Sequence, residues 1–134
     1  MRTRRSSYGV TSRQPPRPGN SAGVASVAVM AVACSHLDTV ALHELPAEVA
    51  GCEDCLRIGG KWLHLRICLE CGHVGCCDDS PNRHATAHAR NAAHPIIRSL
   101  EPGEDWCWCY IDEVGFVLDG LTGETKIPPS PLLA

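Results

Sequence analysis

Large rings are scarce in this sequence: one Phe, two Tyr and three Trp among 134 residues. Aromatic burial can therefore stabilise little of it, and twelve Gly and ten Pro imply a loop-rich body that needs staples. No apolar run reaches the roughly 20 residues a membrane helix needs, so no membrane span is expected. Catalytic signatures are missing too, with no HExxH and no GxSxG. His84 and His88 have the i, i+4 spacing of a zinc protease, but Ala85, Thr86 and Ala87 stand where that chemistry requires a Glu. A non-catalytic chain is the expectation. Acids are absent from residues 1–33, which carry Arg2, Arg4, Arg5, Arg13 and Arg17, a charge of +5. Since the whole chain stands at −3, residues 34–134 stand at −8. So acidic a body suits phosphate backbones poorly, and nucleic acid is not an expected partner.

What the chain does have is cysteine, nine of them. The count is odd, and most sit in short pairs interleaved with histidines. That pattern favours zinc in a reducing, cytoplasmic compartment over a secreted disulfide framework. The stretch from Cys68 to His94 holds four cysteines and four histidines and almost no large apolar side chain. Burial alone cannot offset its ordering entropy. Thiolate and imidazole ligands at CxxC and HxxxH spacings can, by closing tetrahedral zinc sites.

Along the chain, residues 1–33 read as a basic, Pro-rich disordered tail. Two alternatives stay open there: a true start at Met30, or a lipoprotein-like signal running into Cys34. From Cys34 the ligand pairs begin, with Cys34-x-His36, Cys52-x-x-Cys55 and Cys68-x-x-Cys71. Residues 61–67 alternate Trp62, His64 and Arg66 against Leu63, Leu65 and Ile67, a strand pattern. Asn82 is a candidate N-cap for an alanine-rich helix over residues 83–94, which carries His84, His88 and His94. Strands are expected at IIRSL, at WCWCYI with its Cys107-x-Cys109, and at EVGFVLDG. The Pro-rich residues 119–134 read as a frayed C-terminal tail.

This ordered series, with CGHVGC followed by HATAH and a His-Pro, resembles the UBP-type zinc finger of ubiquitin-specific proteases, in a small standalone form of the kind found in bacteria. The resemblance covers residues 34–118. It implies an α+β fold: a small zinc-stabilised domain, a twisted antiparallel sheet of about 4–5 short strands packed on one main helix. It also implies ligand sets. One zinc takes Cys52, Cys55, Cys76 and His84. A second takes Cys68, Cys71, His88 and His94. A third site would use Cys34 and His36 with Cys107 and Cys109. There the family carries CxxC and this chain only CxC, so one of that pair is a candidate bystander. Full ligand sets leave no open metal position, which again points away from catalysis.

Well-studied family members grip the C-terminal Gly-Gly carboxylate of ubiquitin with aromatic walls and an Arg. The aromatic side chains are matched here by Trp106, Trp108 and Tyr110. The Arg is not, because family CGR reads Cys76-Cys77-Asp78, and an Asp repels a carboxylate. Arg66 and Arg83 are candidate substitutes. The expectation is a monomeric module that docks a protein or peptide, such as a C-terminal tail, through a Trp-lined face. The alternative is a redox-sensitive zinc protein acting through Cys77 or the Cys107/Cys109 pair.

Overall fold

The first cysteine pair does more than turn the chain. Cys52 adopts an extended conformation and its Sγ accepts the N–H of Cys55 at 3.4 Å, capping a helix, α1 (Glu53–Ile58). Glu53 and Asp54 sit in its first turn, where carboxylates complement the helix dipole, and Gly59 at φ 75° ends it. This helix was not expected. Its six residues are too few for a periodic apolar face, and only the cap, the acids and the glycine announce it.

The computed structural model describes residues 34–133. The readings of residues 1–33 as tail, late start or signal lie outside the described residues. The chain divides into Met1–Ser35 and His36–Ala134, and the fold is that of the second unit. Five strands follow α1: β1 (Leu65–Cys68), β2 (Val74–Cys76), β3 (Ile96–Ser99), β4 (Trp106–Cys109) and β5 (Val114–Val117). Between β2 and β3 lies the main helix, α2 (His84–Ala92). The strands form one antiparallel sheet in the order β2-β1-β3-β4-β5, with Ile67 opposite Val74 and Arg98 and Ile97 opposite Trp108. This is the α+β architecture the sequence implied.

Leu65, Ile67, Leu69 and Ile96 make up a small, fully buried apolar core. Every cysteine except Cys71 is buried with them. Trp62 packs inward against Gly51, whose φ of 137° and missing Cβ leave room for the indole. The expected strand over 61–67 is shorter than its pattern and starts at Leu65. Upstream, Leu63 N–H donates to Ser80 Oγ and Cys77 N–H to His64 O, so the backbone there is tied to a loop.

Asn82 does not cap α2. The capping position falls to Arg83 at φ 48°, without a side-chain bond, while the Asn82 amide donates to Cys55 Sγ at 3.9 Å. That bond uses the amide nitrogen as donor, whereas a cap would use the amide oxygen as acceptor, and the helix begins one residue later than the capping pattern suggests. The C-terminal residues are not frayed either. Thr122 and Lys126 bridge Glu44 and Glu48 in parallel, with Leu45 N–H to Thr122 O and Lys126 N–H to Ala47 O both at 2.8 Å. Ser130 Oγ then donates to Trp62 O at 2.7 Å. Backbone pairing to residues 43–49 is open to this segment despite its prolines, because the bonding positions fall on other residues.

The helix and sheet meet at Gly75. A Cβ there would stand 2.6 Å from Ala85 N and 2.8 Å from Ala85 Cα, closer than backbone allows. Gly75→Ala should therefore force α2 off β2 and cost about 1–3 kcal/mol, read as a lowered Tm of the zinc-loaded protein.

Candidate metal centres

Three groups of four side chains bring their ligand atoms within 4.8 Å of one another. The first is Cys52, Cys55, Cys76 and His84. Cys52 and Cys55 come from the cap and body of α1, Cys76 ends β2, and His84 opens α2. His84 Nδ1 lies 3.3 Å from Cys52 Sγ, 3.3 Å from Cys55 Sγ and 3.6 Å from Cys76 Sγ. The Cys55 and Cys76 sulfurs are 3.9 Å apart. A zinc tetrahedron with ordinary bond lengths has S–N edges of about 3.6 Å and S–S edges of about 3.8 Å. The donor set and its spacing fit that ion. Backbone N–H groups point at the sulfurs as well, Cys55 at Cys52 and His84 at Cys76 (3.2 Å), as a thiolate site requires.

The second group is Cys68, Cys71, His88 and His94, with Cys68 Sγ 3.5 Å from His94 Nδ1 and Cys71 Sγ 3.2 Å from His88 Nε2. The free nitrogen of His94 faces Glu70 at 3.6 Å, a carboxylate placed to orient an imidazole ligand. His73, inside the knuckle, stacks on His88 with centroids 4.2 Å apart and pairs with Asp54 at 3.0 Å. His84 and His88 share a helix but serve different groups, so their i, i+4 spacing does not build a protease site.

The third group differs from the set the resemblance implied. It consists of Cys34, His36, Cys109 and Asp112, and Cys107 is outside it. Cys109 ends β4 beside the turn that carries Asp112, whereas Cys107 lies two residues back inside the strand. Cys109-x-x-Asp112 instead curls through the β4–β5 turn, and Asp112 N–H points at Cys109 Sγ at 3.5 Å. His36 Nδ1 lies 3.1 Å from Asp112 Oδ2 and 3.5 Å from Cys109 Sγ. This is the CxxC knuckle with a carboxylate in its second place. The spacing is present in the sequence, but with a carboxylate where the Cys and His pattern has a thiolate. Cys107 is fully buried, and burial pushes its thiol up to about 12. Cys77 is also buried and hydrogen-bonded to Ser80 at 3.4 Å. Neither offers an oxidant an exposed thiol.

A cleft of about 250 Å³ opens on the sheet, lined by Trp106, Trp108 and Tyr110 with Arg66, Asp78 and Asp79. The three aromatics named from sequence therefore do meet. Of the two arginines proposed as substitutes, Arg66 lines the cleft, its Cζ 4.6 Å above the Trp106 ring, and Arg83 caps α2 instead. Thr86 donates its hydroxyl proton to Asp78 Oδ1 and lies 3.2 Å from Tyr110 OH. Burial holds the Tyr110 phenol above its usual range, so it is neutral at pH 7.

The family description "Zn-finger in ubiquitin-hydrolases and other protein" matches residues 52–117. Ubiquitin carboxyl-terminal hydrolase 44 of Ailuropoda melanoleuca is 30% identical over 105 residues, 75% of this chain but 14% of that protein. Ubiquitin carboxyl-terminal hydrolase 16 of Mus musculus is 34% identical over 61 residues, 43% of this chain and 7% of that protein. The chain thus spans a small fraction of these hydrolases. The solution NMR structure of protein RPA1320 from Rhodopseudomonas palustris is 49% identical, with a TM-score of 0.60, covering 73% of this chain and 95% of that one. The chain belongs to the UBP-type zinc-finger family and is a zinc-binding module.

Two outcomes check the donor sets. Asp112→Ala should lose one zinc per chain by elemental analysis, whereas Cys107→Ala keeps the full content. Burial, with Cys76 and Cys55 near by, pushes the Cys52 thiol up to about 12, and burial raises Cys55 and Cys68 as well. Raised thiols hold their protons until a dication displaces them. Zinc uptake should therefore release protons, and affinity should fall as pH falls, measured by competition with a chromophoric chelator across pH 6–8.

Proposed function

We propose that this chain is a non-catalytic, zinc-stabilised interaction module that docks a protein or peptide segment through the Trp106/Trp108/Tyr110 cleft. The observation that carries the reading is the separation of roles. The metal groups offer four protein donors each, which is the closed arrangement of structural zinc. The cleft is lined by other residues and holds amphipathic rings on a rigid sheet, the kind of surface that anchors partners. Nothing in the first two donor sets leaves a coordination position for water, so hydrolysis has no place to start there. Three zincs, one in each group, are the proposed complement.

The chain is proposed to act as a monomer in a reducing compartment such as the cytoplasm. The metal groups bring cysteine thiols within 4.8 Å of one another, and oxidising surroundings would set such close thiols against one another. No described helix is long and apolar enough to cross a membrane. Support for a partner-binding role also comes from the hydrolase relatives, in which a unit of this kind makes up a small part of a larger chain. Trp106→Ala with Trp108→Ala should abolish partner capture, by at least about tenfold in Kd, with zinc content unchanged. Capture that survives both changes would remove the cleft from the reading.

A further inference from the structure

Resting on that reading, we propose that the cleft takes a cation: the Lys or Arg side chain of a basic peptide segment, not a terminal carboxylate. Charge decides the sign. Asp78 and Asp79 set two carboxylates against one guanidinium along the cleft. That guanidinium is in part already engaged. Arg66 stacks on Trp106, and its Nη1 donates to Leu65 O at 3.0 Å and approaches Ser99 Oγ at 3.4 Å. A carboxylate entering here would meet two like charges against one cation that is partly bonded into the sheet.

The aromatic rings agree with the carboxylates. Trp108 and Tyr110 present π-faces or edges in the same cleft, and the negative face of an indole attracts ammonium and guanidinium groups. The stack of Arg66 on Trp106 shows that arrangement within the molecule itself. Asp78 is fixed for the task by the Thr86 hydroxyl, which leaves its second oxygen free to accept. Long-range charge points the same way. The body carries −8 over residues 34–134, a field that draws basic segments toward it.

The test uses the zinc-loaded full chain and follows peptide binding by isothermal titration calorimetry, a readout that the tryptophan variants retain. The probes are three short peptides capped by acetyl and amide groups, one with two lysines, one with two arginines and one neutral. A fourth is acetylated, has uncharged side chains and ends in a free, anionic Gly-Gly carboxylate. Saturable changes with a capped basic peptide, and none with the neutral or the anionic peptide, are the expected result. Binding should weaken as salt rises from 50 to 300 mM. Asp78→Asn and Asp79→Asn should each weaken it roughly threefold at unchanged zinc content, since asparagine keeps the Thr86 contact at position 78. Binding of the free-carboxylate peptide alone would overturn the cation while leaving the docking cleft intact. Basic-peptide binding that ignores Trp106→Ala and Trp108→Ala would overturn the cleft itself. No response to any peptide would also overturn the cation.

Discussion

Four soft donors from separate segments converge on one point where α1, β2 and α2 meet, and the rest of the body is arranged around that convergence. Cys52 and Cys55, Cys76, and His84 are far apart in sequence and within 4.8 Å in space. An apolar core of this size could not hold two short helices on a five-stranded sheet by burial alone. The ligand group fixes α1 to β2 and β2 to α2 at once. Other bonds then reinforce the same joint: Glu53 Oε2 accepts from Val74 N–H at 2.9 Å, and Asn82 reaches Cys55 across the site. Gly75 is the steric counterpart, the residue that lets the helix come close enough for His84 to reach the sulfurs.

Much of this was legible in the sequence because ligand chemistry is written in spacing. Cys52-x-x-Cys55, Cys68-x-x-Cys71 and the histidines of α2 fell into the groups that the resemblance implied. The strands β3, β4 and β5 lie within IIRSL, WCWCYI and EVGFVLDG, where strands were expected. What escaped notice was local or long-range. The helix α1 is one and a half turns held by a sulfur cap, which hydrophobic period cannot reveal. Asn82 carries a good capping side chain, but the helix starts after Arg83 and the Asn82 amide nitrogen donates to Cys55 Sγ. Asp112 was missed because a carboxylate in a thiolate's place breaks the expected alphabet, though not the spacing. The pairing of residues 122–126 with 44–48 joins segments about eighty positions apart, beyond the reach of any local pattern.

The same substitution logic shapes the cleft. An acid at position 78, where the family pattern has an arginine, leaves the aromatic rings in place and reverses the charge beside them. A scaffold held by metal tolerates such a change. The donors that hold the fold and the side chains that face a partner are different residues, so one set can vary without the other.

The ladder between residues 44–48 and 122–126 also has a topological meaning. It runs parallel, and it brings the entry and exit of the sheet-and-helix body side by side. A unit whose two ends are neighbours is a cassette. It can be spliced into a host chain at a single junction, with no need for the host to stretch between distant anchor points. Portability of that sort is consistent with relatives in which the matched region is 14% or less of a much longer protein.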